Sequence, residues 1–189
     1  MSADASARRR LSRADWIAAA RALLAEQGVE RLAVEPLARR VGATKGSFYW
    51  HFADRGALLE AVLADWSDRA TAAVITEVER APDDERLAAL LAHALGEADD
   101  EDEALERAVL AAADDPRVTP AVARVHAARV EYLCRLFADR GLPPARAQAR
   151  ARICYAAYLG GRQLDALPGG PPGARVAYRE ELLRMVTAP

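Results

Sequence analysis

Apolar positions recur at helical spacing along nearly the whole chain, and no stretch alternates apolar and polar residues as a half-buried strand would. Ile17, Ala20, Leu23 and Leu24 form a first stripe. It is opened by Ser12-Arg13-Ala14-Asp15, a capping box with Asp in place of Glu, and it stops near Gly28. A second, shorter stripe follows in Leu37, Ala38 and Val41, where Pro36 is tolerable only in a first helical turn and Gly42 ends the helix. In a third short segment Phe48 and Phe52 stand four apart and so share one inward face. A support helix, a short helix, a tight glycine turn and a polar-faced short helix in this order predict a trihelical DNA-binding head, its helix-turn-helix at about residues 33–52.

Beyond Phe52 the pattern predicts six more helices, punctuated by Pro and Gly. A long connector from residue 55 to about 80 carries Leu58, Leu59, Val62, Leu63 and Trp66. Two helices at about 84–97 and 102–113 flank an acidic run, residues 97–103, read as solvated. The helix at about 118–140 turns Val118, Val122, Val125, Val130, Leu133 and Phe137 inward, and Gly141-Leu142-Pro143 ends it. An eighth helix, 144–167, mixes small and large residues around Gly160 and Gly161, which allows close helix approach. The loop at 169–173 precedes no Lys-Ser or Lys-Thr pair and is not a phosphate cradle. A ninth, amphipathic helix at about 174–186 completes an all-α chain of about nine helices: a three-helix head at 1–54 and a helical body at 55–189.

The segment Gly42-Ala43-Thr44-Lys45-Gly46-Ser47-Phe48-Tyr49-Trp50-His51-Phe52 carries the chemistry. It holds the chain's only lysine and three consecutive aromatic residues. Its outward residues, Thr44, Lys45, Ser47, Tyr49, Trp50 and His51, offer hydroxyls, an ammonium, an indole and an imidazole to phosphates and base edges in a major groove. For His51 a hydrogen bond within the head is an equal reading, and Arg39 and Arg40 read as solvated helix surface.

Charge sharpens this picture. The net charge is only −2, but residues 1–55 hold ten Arg or Lys against six Asp or Glu, and the remainder sixteen against twenty-two. A basic head and an acidic body suit a protein that presents one end to phosphates. Arg8-Arg9-Arg10 reads equally as an arm reaching the duplex or as a basic tail. No secretory signal and no run of roughly 20 apolar residues is present, so a cytoplasmic location is expected. Cys134 and Cys154 lack paired spacing and read as structural thiols. Three scattered histidines make no catalytic or metal-binding constellation, so neither an enzyme nor a cofactor is expected.

The stretch from Gly28 to Val34, followed by Leu37-Ala38-Arg39-Arg40-Val41-Gly42 and the aromatic segment, resembles the signature of TetR-family transcriptional regulators. The resemblance covers about the first third of the chain. It implies that Thr44, Lys45 and Ser47 start the groove-facing helix, that Gly46 permits close approach, and that Tyr49 and His51 hold phosphates. Trp50 would press on sugar or a thymine methyl, and Arg55 would meet the backbone. Two departures stand out: Ala33 replaces the usual Thr or Ser, and Glu35 is acidic on the helix nearest the duplex, so that helix should add little affinity.

The resemblance further implies a homodimer through the eighth and ninth helices, a palindromic operator read across adjacent major grooves, and release by a small effector. A repressor is the expected mode. Trp66, His93, Tyr132, Tyr155, Tyr158 and Arg162 are the aromatic or polar-tipped candidates for contacting a mostly hydrophobic ligand. The alternative is a DNA-binding regulator without such a ligand, controlled by a protein partner or by its own concentration.

Overall fold

The computed structural model describes residues 11–96, 100–165 and 174–187, and among them all regular structure is helical. The Arg8–Arg10 triplet and the 169–173 loop lie outside the described residues, as does part of the acidic run. Those up to Trp66, with Asp100–Thr119, form one compact unit; the described residues from Ser67 to 96 and from Pro120 onward form a second.

In the first unit, α1 (Arg13–Gln27) begins at the expected capping box. The Asp15 amide donates to Ser12 Oγ at 3.2 Å, and the Ser12 amide donates back to Asp15 Oδ2 at 2.7 Å. Gly28 closes the helix, its amide bonded to the Leu24 carbonyl at 2.8 Å. The core stripe is Trp16, Ala20, Leu23 and Leu24; Ile17 is only half-buried. The stripe therefore begins one residue earlier than expected, because Trp16 fills the head core against Phe48, ring edge to face at 5.5 Å.

A 3₁₀ turn (Val29–Arg31) leads to α2 (Val34–Arg40), whose N-cap, Ala33, provides no side-chain hydrogen bond. Gly42 follows with φ +66°, the left-handed conformation that lets the Gly42 amide reach the Arg39 carbonyl and the Ala43 amide reach that of Ala38, at 3.2 and 2.9 Å. This pair of bonds is a Schellman closure, and it fixes the direction in which the next helix leaves. That helix is α3 (Lys45–Tyr49). Phe48 and Phe52 are buried and stacked at 5.5 Å, as their spacing predicts.

The helix α4 (Arg55–Ser67) buries Leu58, Leu59, Val62, Leu63 and Trp66 and is capped by Asp54, whose carboxylate accepts from the Ala57 amide at 2.8 Å. Another helix, α7 (Asp100–Ala111), packs against α1. Its acidic opening is less solvated than expected: Glu101 pairs with Arg21 at 3.1 Å, and Glu103 is buried while pairing with Arg107.

The second unit begins with a π-helical turn, Asp68–Ala72, ahead of α5 (Ala73–Val78), so the expected connector helix is not uniformly α-helical. With it come α6 (Arg86–Ala94), α8 (Thr119–Asp139, from Pro120 on), α9 (Pro144–Asp165) and α10 (Ala174–Thr187). Their core joins Val78, Leu87, Leu91, Leu133, Leu136, Phe137, Ala147, Ala151, Leu182 and Val186. Cys154 is buried in it, and burial pushes its thiol up to about 11, which keeps it protonated and unreactive at neutral pH.

Candidate nucleic-acid interface and body cluster

The helix α3 is organised by its two faces. Phe48 is fully buried, whereas Tyr49 and Trp50 beside it are 57% and 85% exposed. Two adjacent aromatic rings this exposed contribute little to the core and are open to a partner. Thr44 caps α3, its Oγ accepting from the Ser47 amide at 3.2 Å, and it is exposed with its hydroxyl proton still available to a partner. Lys45 and Gly46 are exposed beside it and Ser47 is half-exposed. A Cβ on Gly46 would meet Thr44 Oγ at 3.7 Å, an ordinary contact, so Gly46 matters for closeness to a ligand rather than for internal fit. These six residues form one polar and aromatic surface.

The other two predicted residues are engaged inside the head. His51 Nε2 lies 3.0 Å from the Leu11 carbonyl, which ties the chain preceding α1 to the end of α3. Arg55 donates to the Val29 carbonyl at 3.1 Å and to the Glu30 carbonyl at 3.4 Å, tying α4 to the 3₁₀ turn. Neither partner could be foreseen from local sequence, since each lies at least 25 residues away.

Lys45 makes an ion pair with Glu35 on α2. The Lys45 ammonium, by hydrogen bonding first and charge second, holds the Glu35 carboxyl below the usual range. Arg40 pairs with Glu26 in the same unit, while Arg39 is exposed.

In the second unit the candidate ligand residues divide. Tyr155 and Tyr158 stack at 5.9 Å, and the Arg162 guanidinium lies 5.9 Å from the Tyr158 ring centre. His126 and Arg129, one helical turn apart on α8, complete this group: His126 Nδ1 is 2.6 Å from the Tyr155 hydroxyl, and the Arg129 guanidinium lies 5.8 Å from the Tyr158 ring centre. Arg129 also donates to Thr71 Oγ at 3.1 Å and to the Ala70 carbonyl at 3.0 Å, both in the π turn. The signal missed in the sequence was this i, i+3 pair of polar residues on a helix otherwise read by its apolar stripe.

Tyr132 stands apart, its phenol pushed up to about 12 by burial and then by the nearby Glu79 carboxylate, with the Arg135 guanidinium 4.9 Å from its ring. His93 is exposed on α6, and Trp66 belongs to the first unit. Among the described residues no three His, Cys, Asp or Glu side chains gather as a metal ion would require, and no helix is long and apolar enough to cross a membrane.

A helix-turn-helix with an exposed polar and aromatic second helix, carried by an all-helical chain, defines a DNA-binding transcriptional regulator. Residues 17–62 match the family model for bacterial regulatory proteins of the tetR family, which makes the head a DNA-binding domain of TetR-family type. Regulators of this family are not enzymes. The chain is similar over 92% of its length to 95% of a Rhodococcus sp. protein assigned to TetR-family transcriptional regulators, with 26% identity and a TM-score of 0.69. A transcriptional regulator from Rhodococcus sp. Rha1 shares the fold at a TM-score of 0.76, with 23% identity over 93% of this chain and 96% of that one. The multidrug binding protein EbrR, in complex with imidazole, is 25% identical over 94% of this chain and 96% of its own, with a TM-score of 0.61. No curated protein matches the sequence.

Proposed function

We propose that this regulator is a homodimeric, cytoplasmic repressor that reads a palindromic operator and is released from it by a small, mostly hydrophobic molecule. The observation that carries the DNA reading is the contrast within α3, a fully buried Phe48 beside an exposed Tyr49 and an 85% exposed Trp50. Thr44, Lys45, Ser47, Tyr49 and Trp50 make the direct contacts, and Gly46 allows the helix to come close. His51 and Arg55 act by holding α3 and α4 in place, since both side chains are bonded to backbone carbonyls of the head. The functional boundary falls at about residue 54, between the reading head and the body.

One five-residue helix reads only a few base pairs, so two heads related by a two-fold axis are needed. Support for pairing through α9 and α10 comes from five exposed large apolar side chains, Ile153, Leu164, Val176, Tyr178 and Met185, all on these two helices. For the effector, support comes from the cluster of Tyr155, Tyr158 and Arg162 with His126 and Arg129, where stacked rings and guanidinium groups suit a flat apolar body with a polar end. The multidrug binding character of EbrR is consistent with this class of ligand.

The test is selection of bound duplexes from a random DNA pool by the purified protein at fixed, moderate salt. An enriched inverted repeat is expected. Recovery of no motif, with binding that vanishes as salt rises, would leave only non-specific phosphate attraction and overturn the reading.

A further inference from the structure

Lys45 is the chain's only lysine, and it stands at the first position of the helix that faces DNA. Its partner, Glu35, comes from the first turn of α2, across the glycine turn. Both side chains are more than half exposed, at 55% and 60%. An ion pair so exposed to solvent contributes little, so a phosphate or base edge held at contact distance can displace the carboxylate. A phosphate at looser range cannot, because at physiological salt charges are screened beyond about 8 Å whereas Glu35 touches the ammonium.

We propose that Glu35 is a specificity-determining residue: it occupies the Lys45 ammonium in an ion pair that opens only when the head is closely seated on its operator. Lys45 then counts toward operator binding and not toward loose association with arbitrary DNA. The inference rests on the DNA-reading role of α3 proposed above. The logic is that of a contact that disfavours the wrong partner, which sequence-independent phosphate attraction would otherwise reward. Arginine would serve less well here, because its planar fork binds carboxylates in two-point fashion, while the single ammonium on a flexible stem exchanges partners readily.

The experiment compares wild type, Glu35→Gln, Lys45→Ala and the double variant on two duplexes: the inverted repeat recovered by selection and a scrambled duplex of equal length. Affinity is measured across a salt series, with circular dichroism and a thermal melt to show that each variant is folded. For Glu35→Gln the scrambled duplex should bind more tightly, with the magnitude of its salt slope raised by about one. The operator should change less, so the ratio of the two affinities falls. In the Lys45→Ala background the same change should have little effect on either duplex. Equal tightening on both duplexes, persistence of the effect without Lys45, or no effect at all would overturn the proposal. Absence of any preferred duplex for wild type is a separate result and would sink the operator reading itself.

Discussion

Phe48 and Trp50 are two residues apart, both aromatic, and opposite in what they do. Phe48 is fully buried between Trp16 and Phe52, at 5.5 Å from each. Phe48→Ala should destabilise the head by about 3–5 kcal/mol, because the cavity cannot collapse between two large rings. Trp50→Ala should leave stability within about 0.5 kcal/mol and yet weaken DNA binding. Denaturant melts and a binding titration on the two variants check the pair; a Trp50 variant as unstable as the Phe48 variant would place that ring in the fold rather than at the surface. Spacing alone made Phe48 and Phe52 legible as core, since four residues is one helical turn. For His51 a bond within the head was one of two equal readings, but its partner was not legible, nor was the engagement of Arg55, because a side chain's hydrogen-bonding partner depends on tertiary placement. Nor was Trp16, which a stripe begun one residue later leaves out.

At the residue scale one carboxylate also makes stability depend on pH. Asp115 is held at about 2, below its usual 3.8, by hydrogen bonds from the Arg117 side chain and then from the Arg117 amide. A carboxyl whose pKa is depressed by folding contributes stability above its unfolded value and loses it as pH falls through the folded one. Wild type should therefore lose this contribution between about pH 4 and 2, and Asp115→Asn should flatten that part of the profile. Thermal melts of both proteins across this range measure it. Identical profiles would show that the carboxylate is not held in the folded state.

Elements were legible where their ends carry chemistry. Ser12 with Asp15, Gly28 and Gly42 mark the ends of α1 and α2, and the structure uses each as its side chain or φ requires. Gly42→Ala should cost about 1–2 kcal/mol, since φ +66° strains a residue bearing Cβ, and it should weaken DNA binding further by redirecting α3. A melt and a binding titration separate the two effects. The π turn at Asp68–Ala72 was illegible for a physical reason. The stripe through Leu63 and Trp66 predicts continued helix, whereas the altered ladder is stabilised by Arg129, 58 residues from Thr71. A guanidinium that satisfies the Ala70 carbonyl and the buried Thr71 hydroxyl offsets the poorer internal hydrogen bonding of a π turn. Gly161 shows the same limit from the other side. Its small size was read as permitting close helix approach, and the structure gives the partner: a Cβ there would stand 2.8 Å from the Tyr178 ring, whose hydroxyl donates to the Ala157 carbonyl at 2.7 Å.

For the whole molecule, a two-fold operator requires two heads, and the proposed pairing of two chains through α9 and α10 rests on their five exposed apolar side chains. Scattered single apolar residues are normal on a monomer; here five large ones are confined to two neighbouring helices, with Ile153 and Leu164, eleven residues apart, on one face of α9. Leu182 and Val186 hold α10 in the core, so Ile153 and Met185 can be changed without emptying it. Ile153→Asp with Met185→Glu places two carboxylates on each chain, and therefore four across a two-fold interface. Wild type should sediment as a dimer at micromolar concentration and bind the full inverted repeat. The variant should sediment as a monomer, keep its helical circular dichroism, and bind full and half sites alike with the weak affinity of one head. Because one recognition helix contacts so few base pairs, losing the second head removes a complete set of phosphate contacts, and the salt slope should fall to about half. A variant that stays dimeric would move the interface elsewhere on the body; one that becomes monomeric without losing affinity for the full repeat would mean that a single head is enough.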